Sequence, residues 1–254
     1  MNMERLADWL RAWRSVWRSL EGPELEPRLW HSHFLTVHHT RRLLQRLGSG
    51  LSGRVIDIGA GSGYGARYLN PQCTEYLPTD LPSGRSASDL SISKQGREPL
   101  VHCSIYDIPF EDAAFDGAML LNVLEHLEDP HRGLTELGRV LKSEGSLLFV
   151  VPFAFPIHGA PHDFRRWTSY GLAVEFESAG FQLQELHSCG GTVSSLALNL
   201  ALYWRYEAHA LVLLTPLLIV FQGVLNVLAL IADSLLPSAK LLPLAYVGLA
   251  RKVV

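Results

Sequence analysis

The stretch VIDIGAGSGYGARYL constrains this chain most: a β-prone run from Val55 to Ile58, carrying Asp57, breaks into Gly59, Gly61 and Gly63. Glycines at that spacing let the backbone turn tightly and come close to a ligand, and a helix after them offers unpaired N–H groups. The pattern predicts a strand over 55–58, a turn, and a helix near Tyr64–Leu69. Further β runs at 74–80, 117–123, 145–152, 181–188 and 244–252 are separated by predicted helices at Pro130–Leu141 and Ser169–Ala179. Strands and helices alternating in this way build βαβ units, so the expected fold class is α/β, a doubly wound and mostly parallel sheet.

Asp80 stands 23 positions after Asp57 at the end of the next β run. A carboxylate there can accept both hydroxyls of a ribose, which predicts a nucleotide-like ligand with an unmodified sugar. Gly61-x-Gly63-x-x-Ala66 also satisfies the dinucleotide fingerprint, so the loop by itself leaves the ligand's identity open. Charge narrows the partners: 22 Lys+Arg against 25 Asp+Glu give a net charge of −3, with no basic field to hold a nucleic-acid backbone. No nucleic-acid partner is expected. Cys73, Cys103 and Cys189 are odd in number and widely spaced, which fits a reducing, cytoplasmic compartment better than a disulfide framework. The first twenty residues hold no apolar run of the kind a secretory leader needs.

Six pieces, taken in order, carry a resemblance: DIGAGSG (57–63), Asp80, IPFEDAAFD (108–116), LNVLEHLEDP (121–130), ELGRVLKSEGSLLFVVP (136–152) and AGF (179–181). On them the chain resembles the class I S-adenosylmethionine-dependent methyltransferases. The resemblance implies a seven-stranded Rossmann-like sheet and S-adenosyl-L-methionine as cofactor. It implies that Asp57 orients the loop and the methionine amino end, that Gly59, Gly61 and Gly63 line the methionine and sugar, and that Asp80 holds the ribose. Leu81, Ser104, Ile105 and Asn122 complete the cofactor set it implies. Ser104 is a departure, because an acid contacting the adenine amino group often stands there, and a hydroxyl accepts that hydrogen bond less strongly.

Methyl transfer from a sulfonium is an in-line displacement, so a base is required only where the acceptor must lose a proton. His126 follows Glu125 where the 117–123 run opens towards a helix, at the sheet edge where doubly wound folds bind ligands. His158 and His162 lie in the proline-bounded loop PFAFPIHGAPHDFRRWT. That loop resembles the H-x-x-P-x-D-[FY]-x-R-[FWY]-T segment of methyltransferases associated with polysaccharide and glycan assembly, at His158, Pro161, Asp163, Phe164, Arg166, Trp167 and Thr168. His158 is the first choice of base, with His126 and His162 as further candidates. Asp163 and Arg166 serve either as substrate ligands or as an ion pair ordering the loop. His31, His33, His38 and His39 have no Cys beside them and no acid closer than Glu26, and no metal site is expected.

Residues 1–50 read as an N-terminal helical cap, with an amphipathic helix at 4–20 and a second helix over His38–Leu47. Residues 51–189 and 243–254 read as the cofactor-binding domain, interrupted by an apolar insertion at 190–242. Residues 208–232 hold no Asp, Glu, Lys or Arg, long enough by hydropathy to cross a bilayer. If 181–188 and 244–252 share one sheet, however, the insertion must leave and return on the same side of any membrane. A second crossing would bury Arg205 and Glu207, so the prediction is a helical platform in one leaflet, with breaks at Pro216 and Pro237. A soluble substrate lid and a homodimer interface stay open as alternatives. The function these readings favour is O-methylation of a lipophilic or lipid-linked acceptor, with a glycan as one candidate, by a protein peripheral on the cytoplasmic face of the membrane. The alternatives are a soluble small-molecule methyltransferase, acting on a polyketide, quinone or sugar nucleotide, and a non-catalytic scaffold of the same fold.

Overall fold

The computed structural model of the chain describes Arg5, Asp8, Trp13 and Ser15 and the ranges 26–61, 63–82, 101–206, 213–236 and 241–253. The helix expected at 4–20 lies outside these residues except for those four, which are helical. The chain forms two compact units: a sheet unit of 41–153, 157–187 and 245–254, and an insertion unit of 1–40, 154–156 and 188–244. These limits differ from the domains read from the sequence, because residues 1–40 group with the insertion and 41–50 with the sheet.

Seven strands make one sheet: β1 (Gly53–Ile58), β2 (Cys73–Asp80), β3 (Val101–His102), β4 (Phe115–Leu121), β5 (Leu141–Pro152), β6 (Phe181–Cys189) and β7 (Ala245–Lys252). Their order is β3-β2-β1-β4-β5-β7-β6. β1 pairs in parallel with β2 and β4, β2 with β3 and β4 with β5, while β7 runs antiparallel to β5 with Val150 opposite Val247. The central strands are near-continuous apolar runs because both faces are covered, and Ile56, Ala118, Leu120, Leu147 and Phe149 are buried in one core. Strand order reverses between β1 and β4, so their carboxyl ends border a crevice suited to a ligand.

The helices are α1 (Phe34–Gly48), α2 (Pro130–Val140), α3 (Ser169–Ser178), α4 (Thr192–Tyr206) and α5 (Thr215–Leu235). Asp129 caps α2 by accepting from the Arg132 N–H, with Pro130 in the first turn, and Thr168 caps α3 by accepting from the Gly171 N–H. Two expectations are corrected. The helix expected near Tyr64–Leu69 is a five-residue 3₁₀ helix at Tyr64–Tyr68 and not an α-helix: it starts on a left-handed Gly63 with no side-chain cap and contains Gly65. Pro216 opens α5 in its first turn instead of breaking it, since a helix needs no N–H there. Pro237 lies outside the described residues.

Within the insertion unit, Leu35, Ala197, Leu198, Leu202, Ala229 and Leu244 form a second core. One face of α5 is tied into that unit by buried polar groups. The Asn226 amide donates to the carbonyls of Leu29 and His31, and Gln222 donates to Asn226. Asp233, the only charged residue of α5, accepts from the N–H groups of Gly191, Val193 and Ser194 at the start of α4. The Leu244 N–H donates to the Cys189 carbonyl at 2.8 Å, so the insertion leaves and re-enters the sheet at one place. His31 and His39 are packed in this unit, and burial pushes each imidazole down to about 4.

Candidate active site

At the tip of β1 the Asp57 carboxyl is buried, and burial pushes it up to about 7, against the hydrogen bond it accepts from the Tyr76 hydroxyl at 2.6 Å. Its Oδ1 is buried without a hydrogen-bond partner among the described residues. Gly65 is required beside it, because a Cβ there would lie 2.4 Å from Asp57 Oδ2. Gly59, Gly61 and Gly63 all have positive φ, and the space a Gly61 side chain would fill is open. An unpaired buried carboxylate oxygen next to an open glycine cradle fits a ligand that brings a cation, such as the amino end of S-adenosylmethionine.

Asp80 ends β2 and accepts from the Gly61 N–H at 3.1 Å and the Leu81 N–H at 2.8 Å, one on each carboxylate oxygen. Each oxygen keeps a lone pair for a sugar hydroxyl. The Leu81 side chain is exposed, whereas that of Ile105 is buried in the main core. Ser104 closes a turn: its Oγ accepts from the Tyr106 N–H at 3.2 Å and its carbonyl from the Asp107 N–H. Asn122, at the end of β4, holds a left-handed φ of 58° and hydrogen-bonds Tyr64 through its side chain.

The loop after β5 brings the second group of residues together. Asp163 binds Arg166 through two hydrogen bonds of 2.6 and 2.8 Å, and its Oδ2 also accepts from the His158 N–H. These contacts, the Arg166 pair first, hold the Asp163 carboxyl well below the usual carboxylate range. Arg165 donates to the carbonyls of Leu127 and Glu128, and the Phe164 N–H to that of Glu125, so the loop is fastened over the 3₁₀ turn Leu124–His126. The fastening sets the His126 and His158 rings 4.8 Å apart, edge to face. Each presents its Nε2 to Glu125 Oε1, at 3.8 and 3.7 Å. His162 contributes its carbonyl, which accepts from His126 Nδ1, while its ring lies 6.2 Å from that of Phe164.

Two participants were not singled out by reading the sequence. Tyr76 has no local signal, because its partner Asp57 is on another strand. Glu125 sits in the acidic-looking run LEHLED, and its complete burial follows only from the loop that covers it.

A family model described as a methyltransferase domain matches residues 56–149. The chain is 37% identical over 122 residues to a demethylmenaquinone methyltransferase of Chlamydia pneumoniae, covering 44% of this chain and 50% of that one. It is 30% identical over 113 residues to an O-methyltransferase of Aspergillus nomiae, covering 42% and 50%. The chain thus spans about half the length of these curated relatives. Among solved structures it is similar to the 1,6-didemethyltoxoflavin-N1-methyltransferase of Burkholderia thailandensis with bound S-adenosylhomocysteine. That likeness has a TM-score of 0.54 and 17% identity, over 99% of this chain and 90% of the other.

Proposed function

We propose that this chain, a class I S-adenosylmethionine-dependent methyltransferase by its domain at residues 56–149, moves the cofactor's methyl group to an oxygen of a lipophilic or lipid-linked acceptor. Asp57 and the glycine cradle would take the amino end of S-adenosylmethionine, and Asp80 its ribose. The protein positions and the sulfonium supplies the electrophile: a C–O bond forms in line as the C–S bond breaks and the thioether leaves. The acceptor hydroxyl docks at the cluster of Glu125, His126 and His158, which Asp163 and Arg166 hold in place, and loses its proton there to solvent. Ser104 completes the adenine end with a weaker partner than an acid.

One observation carries the acceptor class. The outward face of α5 shows Leu217, Val220, Phe221, Val224, Leu228 and Ile231 at least half exposed, with no charge among them. An apolar groove of about 570 Å³ runs between this helix and the Leu29–Trp30 turn. A solvent-facing helix ordinarily carries charge on that face. The 21-residue helix has a mean hydropathy of 2.1 in its most apolar window, long enough to span a bilayer, but the insertion's ends meet at Cys189 and Leu244. A single crossing would separate those ends, which favours a helix lying in one leaflet with a lipid tail along its groove. Support for an oxygen acceptor comes from the histidine cluster and the Aspergillus relative, and the His158–Thr168 segment points to a lipid-linked glycan. Three free cysteines support a cytoplasmic setting.

The test is calorimetry with S-adenosylmethionine followed by flotation of the full chain with phospholipid vesicles. Saturable cofactor binding and co-flotation are expected. No binding at millimolar cofactor overturns the enzyme reading in favour of a scaffold. A protein that stays in the soluble fraction, alone or as a dimer covering α5, overturns the lipid acceptor.

A further inference from the structure

We propose that Glu125, His126 and His158 hold a divalent transition-metal ion, and that this ion binds the acceptor oxygen in the methyl transfer; the second half rests on the O-methyltransferase reading above. The ligand atoms of the three residues lie within 4.8 Å of one another. Glu125 is fully buried, and among the described residues neither carboxylate oxygen has a hydrogen-bond partner. Burying a carboxyl group without a hydrogen-bond partner is costly, and a cation held against it would offset that cost.

The histidines are prepared for that role from behind. His126 Nδ1 sits 2.5 Å from the His162 carbonyl, a contact that needs the proton on Nδ1 and leaves the Nε2 lone pair free to coordinate. His158 Nδ1 lies 3.4 Å from both Asp163 Oδ2 and Arg166 Nη2, which hold the ring with its Nε2 towards Glu125 Oε1 at 3.7 Å. The Arg166 guanidinium is bound to Asp163 through two hydrogen bonds and also feels the charge of Glu125. Gly159 has a φ of 66°, and a Cβ there would come within 3.1 Å of the His126 ring, so the loop is shaped around this imidazole. Two neutral imidazoles and one carboxylate suit Mn²⁺, Co²⁺ or Zn²⁺, with further positions open to an exogenous oxygen. Val123, two residues before Glu125, packs where a Cβ on Gly59 would lie, 2.6 Å away, which places the cluster beside the glycine cradle.

In the reaction the acceptor O–H binds the ion and gives its proton to solvent. The metal-bound oxygen then attacks the sulfonium methyl, forming C–O as C–S breaks, and the neutral ether product leaves the ion. No oxidant or second reactant is needed.

Chelator-treated protein is titrated with Co²⁺ alone and followed by visible absorption. One ion per chain is expected, with binding weakened about 100-fold in Glu125→Gln and His158→Ala and unchanged in His131→Ala, an exposed histidine of α2. Should Glu125→Gln fail to fold, His126→Ala, whose side chain is partly exposed, carries the same expectation. Binding weaker than millimolar in the unaltered chain, or equal in every variant, overturns the proposal. Full methyl transfer in excess chelator overturns the role of the ion in catalysis. Failure of the methyltransferase reading shows separately, as loss of S-adenosylmethionine binding with the Co²⁺ titration intact.

Discussion

The tips of the sheet and the outward face of α5 break the ordinary rule of burial in opposite directions. At the sheet, Asp57 and Glu125 are buried, and Asp57 Oδ1 and both Glu125 oxygens have no hydrogen-bond partner among the described residues. On α5, Leu217, Val220 and Val224 stand in the open where a surface helix would carry charge. The two departures point to opposite chemistry: a cation at the sheet, an apolar phase at the helix.

The largest expected effect separates the two faces of α5. Ala229→Asp places a charge in the insertion core and should cost about 4 kcal/mol in denaturant unfolding. Val224→Asp, on the open face, should change stability by less than about 0.5 kcal/mol yet abolish co-flotation with vesicles. Equal destabilisation by both would show the open face to be packed.

Next comes Asp57→Asn. With its carboxyl raised to about 7, the folded chain holds a proton that the unfolded chain has lost, so stability falls as pH rises from about 4 to 7 and the full cost persists above. That cost is on the order of 3–4 kcal/mol, and the neutral amide removes it. The variant should melt higher than the unaltered chain at pH 8 and bind S-adenosylmethionine about 100-fold more weakly. In the unaltered chain, cofactor affinity should fall about ten-fold per pH unit below 7, with a proton released on binding, which calorimetry in buffers of different ionisation heat detects.

The smallest effect is at the adenine end. Ser104→Asp keeps an oxygen for the Tyr106 N–H and adds a charge, so cofactor affinity should rise about five-fold.

Most of the sheet was legible because its strands are continuous apolar runs bounded by glycine and proline, and the observed ends of β1, β2 and β6 fall within two residues of those expected. β3 was not, since two residues carry no periodicity. The helix near Tyr64–Tyr68 was legible, but its 3₁₀ form was not, because Tyr, Ala and Arg satisfy helix propensity while Gly63 and Gly65 weaken it locally. Asp57 and Asp80 were recognisable from their place after β runs. The Glu125 cluster was only half legible: the histidines stood out, but the burial of the acid depends on a loop more than thirty residues away. The same distance hid Asp233, which reads as a solvent-facing acid and serves as the cap of a helix that begins about forty residues earlier.

That inward turn of Asp233 has a consequence for how α5 would meet lipid. With its one charge spent inside the protein, the helix offers nothing for a phosphate or choline group to pair with, and it would distinguish membranes by the looseness of their acyl packing, not by the sign of their headgroups. Adsorption through this helix would then persist in high salt and on zwitterionic vesicles alike, and strengthen with curvature.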